Sequence, residues 1–211
     1  MSDGASAALN PWVSIWLRPR ATIQQIVETD PERHVVALAA LSGIVQMLGN
    51  ASDRNLGDRA GLPVVLALAL VLGPFLGLIG VYLWALLLKW TGRWIGGRAS
   101  TVQLRAAIAW AGVPIIVGGA AFVGALLIAG KELFTEATPW LDQNPGWALL
   151  AYGLLVIQLV AVGWGIVVSL KTVGQVQGFS AWRALGNMLL PLLLVVAVGI
   201  VAAIVIPMLA G

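Results

Sequence analysis

Five long apolar runs occupy most of this chain, and its charged residues lie almost entirely in the gaps between them. Arg105, at the edge of the third run, is the exception. Four of the runs exceed the roughly 20 apolar residues needed to cross a hydrocarbon core about 30 Å thick. A helix on the surface of a soluble core carries charge on its outer face, and these runs have no such face. The sequence therefore predicts an integral membrane protein with five spans, at residues 35–49, 62–88, 104–130, 146–170 and 185–209.

The composition also indicates a membrane protein and leaves little of the chain for a separate soluble domain. Only 10% of the 211 residues are charged, against about 25% in a typical soluble domain. We predict an all-α protein with a cytoplasmic or interfacial segment at residues 1–33 and a five-helix transmembrane bundle at residues 34–211. Cysteine is absent, which excludes disulfides, thiolate metal sites and thiol catalysis. The net charge of +3 reflects membrane topology, and we expect no nucleic-acid partner.

The basic residues divide unequally between the gaps. Nine lie in the N-terminal region and in the second and fourth loops, and three lie in the first and third loops. Cytoplasmic loops of membrane proteins carry an excess of lysine and arginine. We therefore predict a cytoplasmic N-terminus and an outer C-terminus.

The first run, residues 35–49, is short and carries the polar residues Ser42 and Gln46. Three interpretations stay open: a span that continues through Ala51, a tilted crossing within protein contacts, or a re-entrant segment. We keep it as a span, because its removal would place the basic second loop opposite the basic N-terminus.

The N-terminal segment has helical apolar spacing in two pieces. Trp12 and Trp16 lie four residues apart, and Ile23, Ile26 and Val27 repeat the pattern after Pro19. Short amphipathic helices with tryptophan and arginine are typical of the membrane interface. They either anchor the first span or form a docking surface for a cytoplasmic partner or anionic lipid headgroups.

Two later segments resemble each other. Residues 96–114 and residues 178–191 both contain glycine, then Arg-Ala, then an apolar helix with a proline eight or nine residues after the arginine. Such parallel repeats occur in some transporters, and also where a helical hairpin was duplicated for structural reasons. Small residues such as Gly73 and Gly77 predict close helix packing, within the bundle or across a homo-oligomer interface.

The sequence offers little material for chemistry. No charge lies deep in a span, so a proton relay or voltage sensor has no ionisable group. His34 is the only histidine, and no second metal ligand stands at a suitable spacing. We predict no enzymatic activity and no cofactor. The buried polar residues Gln158 and Asn187 either form interhelical hydrogen bonds or line a solute path.

Several motifs together resemble a known family. They are Asn10-Pro11-Trp12, Arg18-Pro19-Arg20 and Trp182-Arg183-Ala184. The chain resembles bacterial Yip-domain proteins, relatives of the eukaryotic Ypt-interacting proteins, from about Asn10 to its end. The resemblance implies five transmembrane helices in the inner membrane of a bacterium, a cytoplasmic N-terminus and no enzymatic activity. The eukaryotic members are implicated in vesicle traffic and bind Rab-type GTPases. This chain lacks their longer cytoplasmic region and acidic-tyrosine motif, so the resemblance carries over the fold and topology only.

These observations favour a noncatalytic, membrane-organising protein that binds lipids or a protein partner at its cytoplasmic face, with homo-oligomers as a further expectation. The predicted contact residues are Trp12, Trp16, Arg18, Arg20, Arg93, Arg98 and Arg183. The alternative is a transporter of lipids or small solutes built on the parallel repeat. Its path would be lined by Gln158 and Asn187.

Overall fold

A computed structural model describes residues 8–210, and beyond residue 197 it describes exposure only at Gly199 and Val205. The described chain is helical throughout and contains no strand. It begins with two short helices, α1 (Pro11–Leu17) and α2 (Pro19–Thr29). Each opens with its proline, whose missing N–H needs no partner in the first helical turn. The predicted pair of N-terminal helices is thus present, and the second ends just before Asp30.

Seven further helices follow within the described residues. They are α3 (Val35–Asp53), α4 (Leu62–Trp94), α5 (Thr101–Ala111), α6 (Val113–Ala129), α7 (Pro139–Gln143), α8 (Pro145–Gln177) and α9 (Ala181–Ala210). Two 3₁₀ turns, Leu56–Asp58 and Gly130–Phe134, lie at the end opposite α2.

Four helical segments are long and apolar enough to cross a membrane. They are Val35–Asp53, Leu62–Trp94, Thr101–Phe134 and Pro145–Gln177. The described part of α9 adds a shorter apolar helix, Ala181–Ala197. The first segment runs four residues beyond the predicted 35–49, and its 19 residues span about 28 Å. It is therefore as long as a bilayer core is thick.

The predicted third span, residues 104–130, is divided into α5 and α6 at Gly112. Pro114 has no N–H to donate, and its ring displaces the carbonyl four residues earlier. The Gly112 N–H instead donates to the Ala109 carbonyl at 3.0 Å, which is a tighter turn. The break therefore has a local cause in the sequence.

Helices α3 and α4 meet through glycine. A Cβ atom at Gly43 would lie 2.0 Å from the carbonyl oxygen of Gly73, and one at Gly77 would lie 2.1 Å from that of Ala39. Only glycine permits this approach, because any side chain would overlap the opposing backbone. Gly73 and Gly77 therefore serve packing within the chain.

Within its described part, residues 181–197, helix α9 contacts the bundle through its first residues. Ala184, Asn187 and Pro191 are buried, whereas Leu193 and Val195 are 61% and 70% exposed. The core lies among α3, α4, α5, α6 and α8, with α2 packed against α5 and α8.

One carboxylate is buried at the end opposite α2. Glu132 is 7% exposed, and its oxygens accept the backbone N–H groups of Trp140 at 2.8 Å and Leu141 at 3.0 Å. These bonds pair a buried charge with backbone donors at the start of α7. Glu132 thus holds the α6–α8 connection in place.

Candidate functional site

The predicted contact residues lie at one end of the bundle, which we call the basic end. It comprises residues 8–34, with α1 and α2, residues 89–105 around the α4–α5 loop (residues 95–100), and residues 171–183 around the α8–α9 loop (residues 178–180). The Arg98 N–H donates to the Gln177 carbonyl at 3.3 Å, which joins the two loops. Among residues 8–210 this end holds nine basic and three acidic residues, and the opposite end holds three basic and five acidic residues. The structure therefore brings together the N-terminal region and the second and fourth loops, which are the segments that hold most of the basic residues.

Both loops of the basic end have the same construction. Gly96 and Gly178 follow α4 and α8 with φ angles of +85° and +74°. In each case the glycine N–H bonds the carbonyl three residues earlier, and the next N–H bonds the carbonyl five residues earlier. This is the Schellman ending, which favours glycine because of its positive φ. The hydroxyls of Ser100 and Ser180 then accept from the backbone N–H three residues on, at the starts of α5 and α9. The repeat in the sequence therefore encodes two matching turns.

A buried cluster of polar side chains ties α4, α8 and α9 together. The Gln177 amide donates to the Leu88 carbonyl at 3.0 Å and accepts from the Ala99 N–H at 3.2 Å. Asn187 donates to the same Leu88 carbonyl at 3.2 Å and accepts from the Thr91 hydroxyl at 2.9 Å. Asn187 has no exposed surface. Its amide is therefore occupied by the helix contact.

Two tryptophans hold the N-terminal helices against the bundle. The indole N–H of Trp164 donates to the Trp16 carbonyl, and that of Trp110 donates to the Arg33 carbonyl, each at 3.2 Å. Trp110 is fully buried, and its ring lies 5.1 Å from that of Trp12. The sequence analysis did not identify these bonds. The signal was the depth of the two tryptophans, because an indole N–H buried among apolar groups needs an acceptor.

Arg20, a predicted contact residue, faces the bundle. Its guanidinium donates to the Phe179 carbonyl and to the Gln175 amide oxygen, both at 3.3 Å. The Gln175 amide donates in turn to Gln24 of α2. Trp16 is also partly buried against the core. Arg20 and Trp16 therefore attach α1 and α2 to α8 and offer little free surface.

The remaining predicted residues are exposed, in two groups. The α1 group is Trp12 and Arg18, with Trp12 47% exposed. The α4 group is Arg93 and Arg98 together with Trp90 and Trp94, whose rings pack edge to face 4.6 Å apart.

Arg183 lies beside the α4 group. Its guanidinium donates to the Ile95 carbonyl and sits 4.7 Å from the centre of the Phe179 ring. The neighbouring Trp182 is 81% exposed. Arg183 thus connects the α4–α5 and α8–α9 loops through its guanidinium, although the residue as a whole is exposed.

Gln158 lies far from Asn187. It packs against Gly118 of α6, and its side-chain oxygen is buried without a hydrogen-bond partner among the described residues. It stands 19 residues before Gln177 on α8, which is about 28 Å along the helix. Asn187 shares the Leu88 carbonyl with Gln177. The structure therefore does not bring the two predicted path residues to one cavity.

Within residues 8–210, no three histidine, cysteine or acidic side chains are grouped to hold a metal ion. His34 instead packs between Trp12 and Trp110, with ring centres 5.6 and 6.1 Å away. The candidate surface consists of exposed arginine and tryptophan side chains.

Comparison with protein families assigns this fold. The Yip1 domain model matches residues 13–203, from α1 to the far part of α9. The chain belongs to the Yip1 domain family. No curated protein and no solved structure matches it. The match confirms the Yip-domain resemblance, and with the apolar helices it supports an integral membrane protein.

Proposed function

We propose that this Yip1-domain protein crosses the bacterial inner membrane five times and works without catalysis. Its basic end would lie in the cytoplasm and bind anionic lipid headgroups and, on the same surface, a partner protein. The observation that carries the proposal is the set of exposed arginine and tryptophan side chains at one end of the bundle.

The α4 group has the chemistry of a lipid headgroup contact. Trp90 and Trp94 are 53% and 54% exposed, directly after the apolar part of α4. Indole rings at this position favour the headgroup layer. Arg93 and Arg98 stand beside them, and each basic residue near an anionic surface contributes about 1 kcal/mol to binding.

Helix α1 lies at the depth of an interfacial helix. It meets α8 at Trp164, which is seven residues, or about 10 Å, from Lys171, the first charged residue of the basic end on α8. Its outer residues Val13 and Leu17 are 69% and 82% exposed. An apolar outer face at this depth suits a helix lying in the plane of the membrane.

Orientation can be tested because the chain contains no cysteine. We expect a membrane-impermeant maleimide, applied to intact cells, to label a Thr135→Cys variant and leave a Ser180→Cys variant unlabelled. A cysteine added after Gly211 should also be labelled if α9 crosses the membrane. Labelling of Ser180→Cys would reverse the orientation, and protection of the added cysteine would leave four spans.

Lipid binding has a matched control within the chain. We expect the Arg93→Gln, Arg98→Gln double variant to bind phosphatidylglycerol about tenfold or more weakly, because two charges of about 1 kcal/mol each are removed. The control is Arg54→Gln with Arg59→Gln, two exposed arginines at the opposite end. Native mass spectrometry of the detergent-purified protein measures the retained lipid. Equal retention by both double variants would contradict the proposal.

We do not propose that this protein is a transporter. The transporter hypothesis needs Gln158 and Asn187 on one path, whereas Asn187 is bonded to Leu88 and Thr91, and Gln158 packs against α6. Reconstituted vesicles that showed solute flux dependent on Gln158 would restore it.

A further inference from the structure

A cleft of about 410 Å³ lies between α3 and α4, separate from the basic end. It follows one side of the glycine contact and is bounded by Trp84 and by Ile108 of α5. Ligand sites in proteins measure about 300–1,000 Å³. The cleft is therefore large enough for part of a small molecule and too small for a helix.

A stripe of polar side chains lines this cleft. Ser42, Gln46 and Asn50 all border it and stand four residues apart on α3, so they share one face of the helix. The stripe is about 12 Å long. Gln46 stands eleven residues, or about 16 Å, from the start of α3, near the middle of a membrane-length helix.

The polar side chains of this stripe lack the hydrogen-bond partners that polar groups need inside a membrane. Gln46 and Asn50 are exposed on the cleft. Ser42 is 8% exposed, and its hydroxyl has no hydrogen-bond partner among the described residues. An unpaired polar group costs several kcal/mol in hydrocarbon, where water cannot replace the missing bond. We therefore expect the cleft to hold a ligand that forms hydrogen bonds with this stripe.

The other residues that line the cleft indicate which chemical class of ligand it can hold. None of the lining residues, all of which the structure describes, is charged. Apolar side chains, including Leu76 and Val81, form much of the surface. Phe75 and Ile79, on the neighbouring surface of α4, are 63% and 60% exposed, as lipid-facing residues are. The occupant is thus uncharged, partly apolar and able to enter from the bilayer.

We propose that this cleft binds an uncharged glycerolipid, whose hydroxyl and ester groups pair with Gln46 and Asn50. The site is independent of the anionic lipid contact proposed for the basic end, which uses residues 90–98 at the end of α4 and in the following loop, beyond the residues that line the cleft.

The test uses the full chain in phosphatidylcholine vesicles that contain a diacylglycerol with a photoreactive diazirine in one acyl chain. We expect cross-linked peptides from α3 and α4. Gly80→Leu should lower this labelling at least fivefold by filling the cleft. A Cβ atom at Gly80 meets nothing within 4 Å, so the variant should still fold. Gln46→Leu should lower labelling about three- to tenfold by removing a hydrogen-bonding group.

The control is Gly163→Leu, because Gly163 is an exposed glycine on α8 that also has open space around it. Its labelling should match the wild type. Unchanged labelling in Gly80→Leu and Gln46→Leu would overturn the proposal. Equal labelling of the cleft by a phosphatidylglycerol probe would also overturn it. So would a Gly80→Leu variant that keeps its lipid labelling but loses a protein–protein dimer that cross-linking detects in the wild type. The last result would assign the cleft to a second copy.

Discussion

Two hairpins of this protein begin alike and pack differently. The first hairpin is α4 with α5 and α6, and the second hairpin is α8 with α9. Helices α4 and α8 are both 33 residues long and end in the same glycine turn, and a serine cap follows each. Beyond the turns they diverge, because α5 is mostly buried, whereas α9 is exposed along most of its described length after Pro191.

The difference follows from the size of the side chains. Helix α5 presents Ala106, Ala107 and Ala109 to its neighbours, and all three are buried. Helix α9 presents Leu192, Leu193 and Val195 after Pro191, and all three are exposed. Lipid chains are as apolar as leucine, so association within a membrane depends on small residues that allow close approach. Local signals thus set the turns of both hairpins, and the helix with more buried small residues is the one that packs into the core.

The largest expected difference between the hairpins comes from removing one leucine side chain from each. Leu104 of α5 is fully buried and Leu193 of α9 is 61% exposed. We expect Leu104→Ala to lower the free energy of unfolding by about 2–4 kcal/mol through the cavity it leaves. Leu193→Ala should change it by less than about 0.5 kcal/mol. Titration with SDS in mixed micelles measures both, and equal losses would show that α9 is packed as tightly as α5.

A smaller difference is expected from adding one methyl group. A Cβ atom at Gly77 of α4 overlaps the Ala39 carbonyl, whereas a Cβ atom at Gly186 of α9 meets nothing within 4 Å. We expect Gly77→Ala to destabilise the protein by about 1–3 kcal/mol, because α3 must move away from α4. Gly186→Ala is the matched control and should be neutral or slightly stabilising. The midpoint of thermal unfolding in detergent distinguishes them, and an unaffected Gly77→Ala variant would disprove the glycine contact.

The smallest effect tests the polar attachment of α9. We expect Asn187→Leu to cost about 1–2 kcal/mol, because it removes the bonds to Leu88 and Thr91. Thr91→Val breaks one of the same bonds, so the double variant should lose less than the sum of the two single losses. Additive losses would mean that Thr91 and Asn187 do not act together.

Much of the fold was predictable because its signals are local. The apolar runs predicted where α3 and α4 begin, at Val35 and Leu62. The helix ends were predicted less well. The run at 62–88 stops at the first charge, whereas α4 continues to Trp94, and α8 likewise continues past 170 to Gln177. An apolar run measures the hydrocarbon core, and helices continue beyond it into water.

The candidate site was predictable as a region and less so residue by residue. Counting charges grouped the N-terminus with the second and fourth loops, and these segments do meet. The separate roles of Arg20 and Asn187 did not follow from the sequence. Arg20 bonds Gln175, 155 residues away, and Asn187 bonds Thr91, 96 residues away. No local pattern contains both partners of such a bond.

The sequence by itself determined that this is a helical membrane protein with its basic residues at one end. Charge and hydropathy act through the solvent, and each residue carries that information alone. The tertiary structure decided which glycines touch, which tryptophans hold the N-terminal helices, and which polar side chains stay unpaired in the α3–α4 cleft. Those outcomes depend on distances between helices, which are set only when side chains distant in the chain pack together.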